Sequence, residues 1–421
     1  MDQGNTAFIL LTAALVLLMT PGLAFFYGGL VKAKSVISMM MMSFGAIGLI
    51  SVLWVIYGYA IAFSGGGPVD GVWTIDWTNI GLSGILEAPE DAAYPPIAFA
   101  AFQATFAIIT VALVSGAIAD RAKFGAWMVF AGVWATVVYF PVANWVFNWV
   151  YDAEAGVFTD GGWLTFGLQE AGFAPLIDFA GGTAVHINAG AAALALALVL
   201  GKRVGFAKGA HTPHNPPFVL LGAGLLWFGW FGFNAGSELA ADGVAAIAFL
   251  NTIAAPAAAL LGWIIIEKIK DGKATSVGAA SGAVAGLVAI TPACAVLDPI
   301  WAIVLGLVAG ALCALAIELK FKLGFDDSLD VVGIHLVGGL IGTLYIGLLG
   351  NDVGLFFGEG GSQLLTQAIA AGAVMVYSFV LAFVIGFIIE KTMGFRVKSE
   401  DEVAGIDTVV HGEEGYVLDA R

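Results

Sequence analysis

Hydrophobic positions in this chain come in long unbroken runs, not in alternation. Eleven apolar stretches, at 7–30, 36–63, 96–118, 124–146, 178–200, 217–237, 244–266, 276–296, 299–319, 331–350 and 363–390, are separated by polar gaps. Each approaches or exceeds the ~20 residues a helix needs to cross ~30 Å of hydrocarbon. In lipid the backbone must satisfy its own hydrogen bonds, and helices do so most economically. The pattern predicts an all-α polytopic membrane protein with eleven transmembrane helices, residues 1–390 forming the membrane domain and 391–421 a tail.

The gaps are of two alternating kinds. All sixteen Lys and Arg residues fall in every second gap or in the tail: Lys32 and Lys34; Arg121 and Lys123; Lys202, Arg203 and Lys208; Lys268, Lys270 and Lys273; Lys320 and Lys322; then Lys391, Arg396, Lys398 and Arg421. The intervening gaps hold acids only, among them Asp70, Asp76, Glu87, Asp152, Asp160, Asp178, Glu238, Asp242, Asp298 and Asp352. Cytoplasmic loops retain Lys and Arg, so the N-terminus is expected outside and the C-terminus in the cytoplasm.

Composition agrees with this picture: 60% of residues are hydrophobic and 11% charged, against roughly 25% charged in a soluble domain. The net charge of −15 lies mostly in the acidic gaps and the tail. A cation-attracting outer face and a salt-adapted acidic surface both account for it. Basic patches never exceed three residues, which argues against nucleic-acid binding. Cys294 and Cys313 lie within or near the ends of spans, so a disulfide framework is not expected. The first run lacks the positive flank of a secretory signal and reads as a retained helix. The tail is polar and reads as solvated. Loop 201–217 is the most basic and proline-rich inner connection. Trp73, Trp77, Trp149 and Trp163 in the acidic loops fit interfacial anchoring. Gly282 and Gly286, Gly306 and Gly310, and Gly338 and Gly342 have the spacing that lets helices pack closely.

A weak repeat carries the chemistry. Asp178 precedes His186 by eight residues, and Asp327 precedes His335 by the same interval. The first pair starts from the acidic side and the second from the basic side, so spans one to five and six to ten read as an inverted repeat with a site between them. Eight helical residues rise about 12 Å, which brings both imidazoles near the middle of a ~30 Å core. Of five histidines, only these two lie deep in spans. Intramembrane ionisable groups are functional by default, although two helix-bridging hydrogen bonds are the plainer alternative. Two neutral imidazoles can pair as donor and acceptor and relay a proton. No Cys or carboxylate at ligand spacing completes a metal site, and no cofactor is implied. Asp178 is placed to cap span five through the Gly181 or Gly182 amides. Phe99, Phe102 and Phe106 share one face of span three. Gln103, Asn188, Asn234 and Asn251 read as interhelical glue.

The segment Asp178-Phe-Ala-Gly-Gly-Thr-Ala-Val-His186-Ile-Asn resembles the signature of the ammonium transporter (Amt) family. So do Pro21-Gly-Leu-Ala-Phe-Phe-Tyr-Gly-Gly-Leu, Phe102-Gln-Ala-Thr-Phe106, Gly229-Trp-Phe-Gly-Phe-Asn-Ala-Gly-Ser237 and Val332-Gly-Ile-His335. The resemblance implies an electrogenic plasma-membrane transporter of ammonium, a homotrimer with one pore per subunit. It implies a phenyl gate of Phe106 and Phe233, twin pore histidines His186 and His335, and Asp178 as supporting acid. Recruitment of the cation falls to Ser237 with Phe102 and neighbouring rings. The family pattern often has Trp where this chain has Phe147, six residues after Pro141, so Trp145, Trp149 or Trp163 is a candidate for the missing ring. Loop 201–217 and the tail resemble surfaces that meet PII-type regulators. The rival readings are an ammonium sensor signalling through the tail, an integral membrane enzyme, and a sodium-coupled carrier. No extra signalling domain, nucleophile–base constellation or carboxylate-rich broken helix favours any of them.

Overall fold

A computed structural model of the chain describes residues 1–64, 74–89, 92–152, 155, 157–206 and 212–416. Trp73, Asp70, Lys208, part of loop 201–217 and the end of the tail lie outside the described residues. Among the described residues, ten helices are long and apolar enough to cross a membrane: α1 Gln3–Leu30, α2 Ala33–Ala62, α3 Pro96–Ile118, α4 Phe124–Phe147, α5 Gly182–Leu200, α6 Pro216–Glu238, α7 Gly243–Asp271, α9 Pro299–Leu323, α10 Val332–Leu349 and α11 Ser362–Thr392. Between α7 and α9 lies a shorter apolar helix, α8, Ser276–Ile290. The expected span 276–296 is cut short there. Thr291 turns its hydroxyl back onto the Leu287 carbonyl at 2.7 Å, and Pro292 follows in a non-helical turn. The chain is a multi-pass integral membrane protein.

Helix α1 packs along α6 and α3, α7 along α9 and α8, and α11 along α5. With lipid as apolar as Leu, close contact and not water exclusion holds such pairs together. The paired glycines supply that contact. A methyl group on Gly306 would fall on the Ala255 carbonyl oxygen, and one on Gly310 on the Ala259 carbonyl oxygen. Gly310→Ala is therefore expected to force α9 away from α7 and cost about 1–3 kcal/mol. A melting curve of the detergent-purified variant checks this; an unchanged melting temperature would mean that the interface yields.

The two kinds of loop gather at two ends. At the basic end, Arg203 pairs with Asp120 and Asp326, and Lys270 pairs with Glu318. Lys123 N–H donates to the Phe395 carbonyl. At the acidic end, Asp2 N–H donates to the Ala93 carbonyl and Phe179 N–H to the Pro292 carbonyl, while Asn148 donates to the Ser64 carbonyl. An element not anticipated stands here. Strands β1, Trp149–Asp152, and β2, Val157–Gly161, form an antiparallel hairpin with an irregularity after Val150.

The tail is not the solvated segment its polarity suggests. Phe395 is fully buried, and Val397 N–H donates to the Arg121 carbonyl. The Asp407 carboxylate accepts from the Ile37 and Ser38 amides at 3.0 and 2.7 Å, capping the first turn of α2 where Ser35 makes no side-chain cap. Glu402 accepts from Val204 N–H and from Arg396 at 2.8 Å. These acids accept from a helix start, a loop amide and a guanidinium, which composition alone does not reveal.

Candidate functional site

Both deep histidines sit in π-helical turns, Gly182–Ile187 at the start of α5 and Val332–Leu336 at the start of α10. Such wide turns are rare and gather at functional sites. Each is set by an acid. Asp178 Oδ1 accepts from the Gly181 and Gly182 amides at 3.0 and 2.5 Å, and Oδ2 from Thr183 and Ala184 at 2.9 and 3.0 Å. The cap takes four amides, Thr183 and Ala184 in addition to both of the expected glycines. Gly181 enters it at φ 113°, a region open to glycine, which is why α5 begins at 182 and not at 178. Asp327 Oδ2 accepts from the Val332 amide at 2.7 Å. Lys320 holds the same loop through the Asp327 carbonyl at 2.9 Å and the Asp330 carboxylate at 2.6 Å. Burial pushes the Asp327 carboxyl up to about 6 against the pull of Lys320. Next door, Asp326 is raised by burial but more than offset by the hydrogen bonds and charge of Arg203, so its value falls below the ordinary one. Stability from Asp326 is therefore present above the unfolded carboxyl value and lost as pH falls through the lower folded one.

The two turns touch. Gly339 lies against the Gly182 carbonyl and His186 Cβ, and the rings meet with Nδ1···Nδ1 3.2 Å apart. One nitrogen must donate and the other accept, so the neutral pair holds opposite tautomers at Nδ1. His186 also stacks on Trp230 with centroids at 5.4 Å, and its Nε2 takes no protein partner among the described residues. Both histidines line a narrow slot walled by Leu23, Phe26, Ile109, Leu113, Trp230 and Phe233, among others. Its volume of about 10 Å³ is room for one water-sized molecule.

On the acidic side opens a second cavity of about 540 Å³. Phe106 faces this cavity and Phe233 faces the slot. Their rings stack between the two, with centroids 4.1 Å apart and planes 12° from parallel. Ser237 lines the cavity and donates to the Phe233 carbonyl at 2.8 Å, leaving its oxygen lone pairs free to accept. Phe147 lines it edge-on to Phe106 at 6.2 Å.

Two recruitment residues expected from sequence stand elsewhere. Trp145 is buried against Tyr377 and Trp163, with centroids at 4.6 and 5.6 Å, and is absent from the cavity wall. Helical spacing turns it away from the face that Phe147 presents. Phe102 is fully buried and backs Phe106 at 4.9 Å without lining the cavity. Of the three candidate tryptophans it is Trp149, carried in by the hairpin and packed on Phe158 at 5.5 Å, that reaches the cavity. Asn234 does bridge helices, donating to the Thr252 hydroxyl of α7, whereas Asn251 ties α7 to the turn between α8 and α9 through the Cys294 and Leu297 carbonyls. Gln103 lines the cavity instead. Sequence reasoning did not place Gln103 or Glu238 there; the acidic loop gap and the polar position beside Phe102 were the available signals.

An aromatic-walled cavity, a stacked ring pair and a narrow histidine-lined slot inside a helix bundle are the parts expected of a membrane transport protein. Residues 7–416 match the model of the Ammonium Transporter Family, and the chain belongs to that family. It is 54% identical to the ammonium transporter of Mycobacterium tuberculosis strain H37Rv, over 99% of this chain and 90% of that one. Among solved structures it resembles Saccharomyces cerevisiae Mep2, with TM-score 0.83, 32% identity and coverage of 95% and 91% of the two chains. It also resembles a structure described as a Sensor Amt Protein, with TM-score 0.86, 27% identity and coverage of 97% and 98%.

Proposed function

We propose that this chain is an ammonium transporter of the plasma membrane that recruits ammonium outside, deprotonates it, and passes ammonia inward. The stacked Phe106 and Phe233 pair between a wide polar cavity and a slot one molecule wide carries the reading. Ammonium is held in the outer cavity by ring faces and by the Ser237 oxygen. It releases its proton there, and neutral ammonia slips past the rings. Potassium has no proton to shed and faces the full desolvation penalty of the slot. The proton crosses through the hydrogen-bonded His186 and His335 and recombines with ammonia inside, so that one charge moves per ammonium.

In this reading the acidic end faces outward and the basic end the cytoplasm, as Lys and Arg retention favours. Helices α1–α11 are eleven crossings, and α1–α5 and α6–α10 are inverted halves. The matching Asp178–His186 and Asp327–His335 intervals and their paired π turns support this. Residues 1–390 transport, and 391–421 form a cytoplasmic tail that, with loop 201–217, would meet a PII-type regulator. The assembly is a homotrimer, as the family resemblance implies.

Methylammonium uptake and ammonium-evoked current in proteoliposomes test the reading. Phe233→Ala is expected to keep transport but lose discrimination against potassium by about tenfold, because an open slot admits hydrated ions. Selectivity equal to that of the wild type removes the gate role, and absence of ammonium flux in the wild type removes the function.

A further inference from the structure

Resting on the transport reading, we infer that Lys320 is a positioning residue for His335. By holding Asp330 in a left-handed turn, it sets the angle at which α10 leaves the basic end, and with it the contact between the two imidazoles.

The two histidine turns are built alike but not held alike. On the acidic side the left-handed residue is Gly181, at φ 113°, where glycine costs little. Asp178 ties both carboxylate oxygens to four amides of the same segment, so that turn fixes itself. On the basic side the left-handed residue is Asp330, at φ 64°. A side chain is disfavoured there, although aspartate tolerates the region better than most. Asp327 gives this segment less help than Asp178 gives its own. Its Oδ2 accepts from Val332 N–H at 2.7 Å, with support from Val331, and its Oδ1 takes no hydrogen bond among the described residues.

The missing support comes from another helix. Lys320, in the last turn of α9, is 6% exposed. Its Nζ donates to the Asp327 carbonyl at 2.9 Å and to the Asp330 carboxylate at 2.6 Å, and so spans the segment up to its left-handed residue. Arg121 and Arg203 hold the preceding stretch, through the Asp326 carbonyl, the Ser328 hydroxyl and the Asp326 carboxylate, and among the described residues neither bonds to Asp330. The Asp330 carbonyl accepts from Ile334 N–H at 2.9 Å, inside the wide turn Val332–Leu336 that carries His335. A rotation at Asp330 therefore moves everything beyond it. The imidazoles have little play, because Nδ1···Nδ1 is already 3.2 Å and such bonds fail with modest lengthening or tilting. Lys320 and Asp330 also line a cavity of about 190 Å³ at the basic end, so a purely electrostatic role for the ammonium group is the rival to separate.

The test compares two double variants of the full chain. Both lack the two charges, and they differ only in backbone freedom at position 330. Lys320→Met with Asp330→Ala leaves a side chain that resists the left-handed region, whereas Lys320→Met with Asp330→Gly leaves a residue that enters it freely. Ammonium-evoked current in proteoliposomes is expected to fall about tenfold or more in the alanine double and to stay within about threefold of wild type in the glycine double, since small displacements of positioned groups are costly. Solid-state nitrogen NMR of histidine-labelled protein in lipid reads the shared Nδ1–H itself. That signal should persist in the glycine double and be lost or shifted in the alanine double. Melting curves check folding. An alanine double that does not fold is replaced by Lys320→Met with Asp330→Asn, which enters the left-handed region less readily than glycine and should fall between the two. Equal currents and equal ring spectra in the paired doubles overturn the inference: both low assigns Lys320 to electrostatics, and both of wild-type size leaves it without a role. A ring signal rescued by glycine, with no ammonium current even in the wild type, supports the positioning and overturns the transport reading instead.

Discussion

Replacing His335 with alanine is expected to lower ammonium-evoked current at least about tenfold, in line with the usual contribution of a positioned proton carrier. The slot offers no substitute. Its other lining groups are apolar except Trp230, whose indole N–H is committed to the Thr291 hydroxyl at 2.8 Å. His186 alone, without the Nδ1···Nδ1 contact, has no partner to hand a proton to. His186→Ala should behave alike, since a pair that acts as a unit fails with either member. Current on solid-supported membranes is the measurement, with a melting curve to confirm folding. Currents of wild-type size in both variants would dismiss the relay. His335→Phe, which keeps a ring in place, separates loss of proton transfer from loss of packing: it should also be silent.

The second large effect is expected at Asp178. An asparagine there keeps one acceptor oxygen and turns an NH2 group toward amides that themselves donate. Two of the four amides it now satisfies would be left buried and unpaired, each costing roughly 1–3 kcal/mol. The total is about 3 kcal/mol or more by the same per-group cost, and the strain falls on the turn that carries His186. Asp178→Asn should therefore melt well below the wild type and lose transport together. A variant that melts normally but fails to transport would reassign Asp178 from scaffolding to direct handling of the cation. A variant normal in both would discard its importance.

Much of this arrangement is legible in the chain. Long apolar runs locate ten helices within a few residues, because a lipid-spanning helix has few other ways to be built. The matched eight-residue intervals single out His186 and His335 as a pair, and the rings do meet, although only 182–186 and 332–335 of those intervals are helical, in wide turns that a constant α-helical rise does not describe. The failures have physical causes too. Composition cannot tell that Asp407 and Glu402 bind amides hundreds of residues away, so by polarity alone the tail reads as solvated. The hairpin at Trp149–Gly161 rests on backbone pairing between loop residues without a clear alternation. Chemistry alone puts Trp145 at the cavity, whereas its rotation about α4 aims it at Tyr377. The wide turns holding the histidines leave no mark in hydropathy at all.

Those wide turns bear on how such chains diverge. A π turn contains one residue more than the α helix it interrupts, and each residue rotates the chain beyond it by about 100°. Deleting a single position within 182–187 or 332–336 would restore a regular helix and swing an imidazole out of the conduit, even if every remaining side chain were kept. Substitution is thus the milder kind of change there, and a shift in spacing the severe one. The hairpin at 149–161 stands at the opposite extreme. Among the described residues its strands pair only with each other, so lineages can lengthen or shorten it and alter what lies over the entrance without moving the helices below.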